Sequence, residues 1–129
     1  MNEVDTLIKD KLVPMVNRVD DALVRKHPHF LGMVDKYLAG NTNKIGLQVT
    51  ENGSTVGEYT FHLNGLQVND TECGVLSSEL HHPMGIIKPY RIIEKSVLEK
   101  ALNDEQDFIN DPFAAIRKYM PDITIKFLQ

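Results

Sequence analysis

The chain of 129 residues has no tryptophan and a single cysteine, Cys73. One cysteine excludes an internal disulfide and fits a reducing compartment. Basic residues are not in excess: 14 Lys and Arg stand against 18 Asp and Glu, with net charge −4 and pI about 5.7. Nucleic-acid binding by backbone neutralisation needs a basic face, so this balance argues against it. It does not favour an anionic membrane surface either. No apolar run approaches the length of a membrane span. The first residues, Met1-Asn2-Glu3-Val4-Asp5, are polar and acidic, unlike a signal peptide. No Cys-x-x-Cys, His-x-x-x-His, Gly-rich phosphate loop or serine elbow occurs. Repeats, low-complexity segments and linkers are also missing. These absences leave one domain, residues 1–129, expected in the cytoplasm.

What is present is a pair of hairpin signals in residues 44–68. Apolar and polar residues alternate on either side of Asn52-Gly53 and Asn64-Gly65. Asn64-Gly65 as a two-residue loop sets Leu63 opposite Leu66 and Phe61 opposite Val68, all on one face. A two-residue loop at Asn52-Gly53 would put the apolar faces on opposite sides. A three-residue or bulged turn there, with Gly53 at positive φ, sets Leu47 opposite Tyr59 and Ile45 opposite Phe61.

Helices flank this meander. Val4, Ile8, Leu12, Met15, Val19, Ala22 and Leu23 make one helical stripe over residues 3–26. Pro14 predicts a kink or break near Leu12-Val13. Phe30, Leu31, Val34, Tyr37 and Leu38 predict a second helix, ended by Gly40 and Asn41. Residues 69–89 are turn-like at first, then open between a helical turn and a strand edge, with a loop at His81-His82-Pro83-Met84-Gly85. Ile86-Ile87-Lys88 begins a strand that Pro89 bends or ends. Tyr90-Arg91-Ile92-Ile93 reads as a strand. Ser96 and Glu99 form a capping-box pattern for the next helix. Asp111-Pro112 opens the last helix, whose inner face is expected to be Phe113, Ile116, Arg117 and Met120. Pro121 stops it, and Ile123, Ile125 and Phe127 alternate as a closing strand. Strands in runs with helices set apart indicate an α+β fold, with about five strands in a mainly antiparallel sheet covered on one face by helices.

Candidate chemistry is thin. His27, His29, His62, His81 and His82 include no ligand spacing, and the adjacent His81 and His82 point apart in an extended chain. Their ordinary reading is surface loop histidines. Cys73 lies beside Glu72 and Asp70, which raise a thiol pKa rather than lower it. Glu94, Glu99, Asp104, Glu105, Asp107 and Asp111 form an acidic run, and such runs are usually solvated faces and caps. An apolar space between sheet and helices, closed or open, is the remaining candidate. Met15, Met33, Met84 and Met120 are adaptable lining for it.

The last third resembles the sterol carrier protein-2-like family. The resemblance rests on Tyr90-Arg91-Ile92-Ile93, the helix over residues 96–102, the run Asp111-Pro112-Phe113-Ala114-Ala115-Ile116, and the final strand. Asp111, Pro112 and Ala115 match the family's Asp-Pro-x-x-Ala-Phe, with Ile116 in the place of Phe. The chain departs from the family at Met120-Pro121-Asp122, where a Gly-Lys is usual, and residues 69–89 resemble an insertion. The resemblance implies a non-catalytic fold enclosing an apolar tunnel for a fatty acid, sterol or similar lipid. It implies no cofactor, no metal and no stable membrane insertion. By that analogy the ligand would be lined by Phe61, Leu63, Leu66, Val68, Tyr90, Ile92, Phe113, Ile116 and Met120. Two alternatives stay open: a closed-core module that binds a protein or forms a homodimer, and an enzyme using His81, His82 or Cys73 in the 69–89 loop.

Overall fold

A computed structural model describes residues 2–38, 42–82 and 84–129. The architecture is α+β. A five-stranded sheet carries helices on one face. Its strands are β1 (Asn43–Glu51), β2 (Ser54–Asn64), β3 (Gln67–Cys73), β6 (Pro89–Glu94) and β7 (Ile123–Phe127), in the order β3-β2-β1-β6-β7. Only β1 and β6 run parallel; the other pairs are antiparallel. Between β3 and β6 lies a two-stranded hairpin, β4 (Leu80–His82) and β5 (Gly85–Ile87).

The helix layer begins with a continuous amphipathic rod: α1 (Glu3–Thr6), a π-helical stretch (Leu7–Leu12) and α2 (Val13–Lys26). Asn2 caps it, accepting from the Asp5 N–H at 2.8 Å. Pro14 has the expected effect in an unexpected form. It cannot donate to a carbonyl four residues back, and the backbone widens into i→i+5 pairing, with the Val13 N–H reaching Ile8. The stripe is thus kept through the proline. Val4 and Ile8 pack with Leu47, Val49, Tyr59, Phe61, Ile93 and Leu98, while Met15, Val19 and Leu23 anchor a second cluster with Leu66 and Phe108. Each large apolar side chain so buried contributes about 1.5–3 kcal/mol. α3 (Pro28–Leu38) follows; the expected stop at Gly40 and Asn41 lies outside the described residues, as does Pro83.

The first hairpin has the predicted faces and, of the two forms expected for it, the bulge; the second departs from the expected pairing of Leu63 with Leu66 and Phe61 with Val68. Ile45 pairs with Phe61 and Leu47 with Tyr59. The loop is nevertheless two residues, Asn52 (φ 54°) and Gly53 (φ 82°), as the twist of a hairpin favours. The extra residue sits further in, as a bulge where Val49 pairs with Gly57 and Thr50 with Thr55. At the second turn Asn64 pairs with Gln67, so Gly65 and Leu66 form the loop. A bulge beyond Val68 then restores the alternation. α2 fastens this edge: the Asn17 side-chain amide donates to the Val68 carbonyl at 3.0 Å, and its oxygen accepts from the Val68 N–H at 2.8 Å.

Residues 75–78 cross the face opposite the helices. The Thr60 hydroxyl donates to the Val75 carbonyl at 2.7 Å and accepts from the Ser77 N–H at 3.0 Å. Gly46 makes room for this crossing. A Cβ there would lie 2.9 Å from a Leu76 methyl and 3.0 Å from the Ser77 carbonyl.

After β6 come α4 (Lys95–Asn103), α5 (Glu105–Asn110), α6 (Pro112–Tyr119) and a short 3-10 turn, Met120–Asp122. The Ser96–Glu99 capping box does not form. β6 runs directly into α4, with Glu94 at the N-cap and no side-chain cap. The Glu94 carboxylate turns to the first hairpin instead, accepting from the Thr50 hydroxyl at 2.9 Å and the Gly53 N–H at 3.2 Å. Asp111 caps α6 as expected, accepting from the Ala114 N–H at 3.2 Å. Its inner face differs from the expected one. Pro112, Ala115 and Tyr119 are buried, and Tyr119 stacks on Phe108 with ring centroids 5.5 Å apart.

Candidate functional site

Register decides which sheet residues can share a site. Side chains at paired positions emerge on the same face. Leu47, Tyr59, Phe61 and Ile93 therefore lie on the helix face of the sheet, together with Ile123, Ile125 and Phe127, which pair with Ile93, Arg91 and Pro89. Tyr90 and Ile92 lie one residue out of phase. They occupy the opposite face with Gly46 and Gln48. The nine residues expected to line one cavity are thus separated. Phe61 is in the core, Val68 packs against it, Leu63 is half-buried, and Leu66 packs on the α2 cluster. Phe113, Ile116 and Met120 are exposed because α6 turns its 112-115-119 face inward.

The helix face of the sheet is unevenly covered. Near α1 and α4 it is sealed, with Val49 and Leu98 almost inaccessible. Along β7 burial fades: Ile123 is packed on the core, Ile125 is 50 % exposed and Phe127 is 64 % exposed. Met120, in the turn that leads into β7, is 54 % exposed. Phe113 is held at its base by an edge-on contact with His27, ring centroids 5.0 Å apart. Arg91 pairs with Ile125 on one side and Leu47 on the other, so it places an exposed cation on this face. Sequence reasoning missed Ile125, Phe127 and Arg91 as site residues. The alternation of Ile123, Ile125 and Phe127 was visible, but its face depends on pairing with β6.

Two open clefts lie elsewhere. One, of about 340 Å³, is walled by Leu7, Asp10, Lys11, Arg18, Glu99 and Glu105 between the π-helical stretch and the α4–α5 junction. Arg18 and Glu105 close one end as a two-pronged ion pair at 2.6 and 2.7 Å. That bond holds the Glu105 carboxyl below its usual range. The other cleft, of about 360 Å³, lies between α2 and the second hairpin turn and takes in Leu66, the only one of the nine expected residues that lines either.

The polar candidates are dispersed. His62 bonds Glu72 on the strapped face, and the His81 N–H donates to the buried Asn43 at 2.8 Å. Cys73 ends β3 opposite Tyr59. No group of three His, Cys, Asp or Glu side chains among the described residues is placed to hold a metal ion. The acidic run is largely structural. Glu94 braces a turn, Asp111 caps α6, and Asp104 accepts from the Tyr119 hydroxyl and from Lys118 at 3.0 Å. Those two bonds, the tyrosine's first, hold the Asp104 carboxyl below its ordinary value. No helix among the described residues is long and apolar enough to cross a membrane.

No family model and no curated protein matches the chain. Among solved structures it is similar to the crystal structure of sterol carrier protein-2 like-3 from Aedes aegypti. The two are 17 % identical over 84 % of this chain and 86 % of the other, with a TM-score of 0.38. So loose a superposition leaves function to be argued from the chain's own residues.

Proposed function

We propose that this protein is a non-catalytic binding protein for an apolar small molecule, seated on the helix face beside β7. One observation carries the reading: Phe113, Ile116, Met120, Ile125 and Phe127 are apolar yet substantially exposed, on β7 and the helix and turn that lead into it. Exposed apolar residues grouped in this way mark binding surfaces. Arg91 on the same face favours a fatty acid over a neutral sterol-like lipid, its carboxylate at the guanidinium and its chain along Ile125 and Phe127. Each methylene removed from water contributes about 0.8 kcal/mol. Native mass spectrometry of protein purified without detergent, with titration of a fluorescent fatty acid, tests the reading. Phe127→Ser is expected to weaken binding tenfold or more, since about 1.5–3 kcal/mol of apolar burial is lost. A native chain that carries no lipid and binds no fatty acid overturns it.

A second reading has its own support. β7 is an outer strand with an apolar face, so it offers an edge for a homodimer. Sedimentation across a range of concentrations distinguishes the two, because a strict monomer excludes the dimer.

A further inference from the structure

The β4–β5 hairpin leaves the sheet at the end where β1 and β6 begin. Its direction follows from the backbone. Lys44 and Glu79 bond each other both ways, at 2.9 and 2.8 Å, in antiparallel pairing. Leu80 therefore lies level with Asn43, and residues 81–82 run about 7 Å past the start of β1. The projecting part carries exposed apolar side chains. Met84 is 88 % exposed, Ile86 54 % and Ile87 49 %.

Cations gather where the hairpin is rooted. Lys88 links β5 to β6, and Lys126 pairs across to Tyr90 on the face opposite the helices. Residues 85–93 and 123–129 contain no acidic side chain. Glu94 and Asp122 stand at the opposite end of these strands, Glu79 lies at the hairpin's base, and Asp70 and Glu72 lie on the same face further across the sheet, in β3. The chain as a whole is acidic, at −4. The paired stretches of β6 and β7 therefore carry only basic charge, which total composition does not show.

We propose that this hairpin docks the protein peripherally on an anionic lipid bilayer. The tip enters the boundary between headgroups and acyl chains, while Lys88 and Lys126 meet acidic headgroups. The acidic remainder of the molecule is held away by the same field. A second copy is the poorer occupant, because a twofold contact through the tips would bring the two basic clusters together. The inference stands apart from the ligand reading, since it uses the hairpin and the charge around it.

Flotation of the full chain with phosphatidylcholine vesicles, with and without phosphatidylserine, tests it. Binding is expected only with phosphatidylserine and should fall as salt is raised. Met84→Ser with Ile86→Ser should lower binding at least tenfold. Lys88→Gln with Lys126→Gln should lower it about twenty-fivefold, at about fivefold per cation near the surface. Val75→Ser, an exposed apolar site on the strap, should leave it unchanged. Binding that ignores phosphatidylserine, or that survives loss of Met84 and Ile86, overturns the proposal. So does a dimer that the tip variants disperse in a chain that ignores vesicles.

Discussion

Tyr59 offers a sharp test of how the N-terminal rod is fixed to the sheet. Its ring is fully buried in the main cluster, and its hydroxyl donates to the Asp5 carboxylate at 2.6 Å. Burial first, and then this bond, raise the phenol's pKa well above its ordinary value, so the proton stays on the tyrosine. Tyr59→Phe keeps the ring and removes one bond to a charged acceptor, worth about 1.5–3 kcal/mol. Asp5 is only half-buried and water can replace the lost donor, so the expected cost is about 2 kcal/mol at the low end of that range. At about 4 °C per kcal/mol for a domain of this size, the Tm should fall by roughly 8 °C. Urea denaturation of the native chain, Tyr59→Phe, Asp5→Asn and the double variant isolates the pair as a coupling energy. A coupling of about 1 kcal/mol or more is expected. Asp5→Asn alone also perturbs the cap at Asn2, whose N–H reaches the same carboxylate at 3.4 Å, and the cycle removes that contribution. Near-additive single variants, or a Tyr59→Phe chain as stable as the native one, would refute the reasoning.

Gly57 lies beneath the same ring: a Cβ there would sit 2.7 Å from Tyr59 Cε2 and also crowd the hydroxyl. Gly57→Ala should therefore cost about 1–3 kcal/mol by overpacking, measured by urea denaturation, and be partly rescued in a Tyr59→Phe background. Tyr119 supplies a pH dependence, since burial and then the bond to Asp104 push its pKa up to about 12. The folded value lies above the unfolded value of about 10, so its contribution is complete below about pH 10 and lost as pH rises toward about 12. Stability curves of the native chain and Tyr119→Phe should converge across that window. Curves that stay parallel would contradict the assignment.

Local signals that involve neighbours in sequence were legible. The α2 stripe, Asp111 with Pro112, the positive φ at Gly53 and the pairing of Leu47 with Tyr59 all depend on short-range geometry. Signals that needed a distant partner were not. Glu94 serves a hairpin turn more than forty residues away in place of the helix it begins. The inner face of α6 was misplaced by one position because the Tyr119 ring stacks on Phe108 of α5, and nothing in the helix's own periodicity chooses between adjacent apolar stripes. Tyr90 and Ile92 were assigned to the ligand face for the same reason. A six-residue strand with apolar residues at both phases, Tyr90 and Ile92 against Ile93, shows its face only when paired.

By itself, then, the sequence determined the class of fold, the meander's apolar face, and the absence of any spaced ligand or nucleophile set, because periods of two and 3.6 and the chemistry of side chains are local properties. Only the tertiary structure decided which apolar residues stay exposed and where the charge collects. Phe127, Ile125, Ile86 and Ile87 are apolar residues that stay exposed, and Lys88 and Lys126 come together only because β6 and β7 pair. Burial and electrostatic potential are sums over neighbours in space, and an acidic chain can fold so that two paired strands present only basic charge.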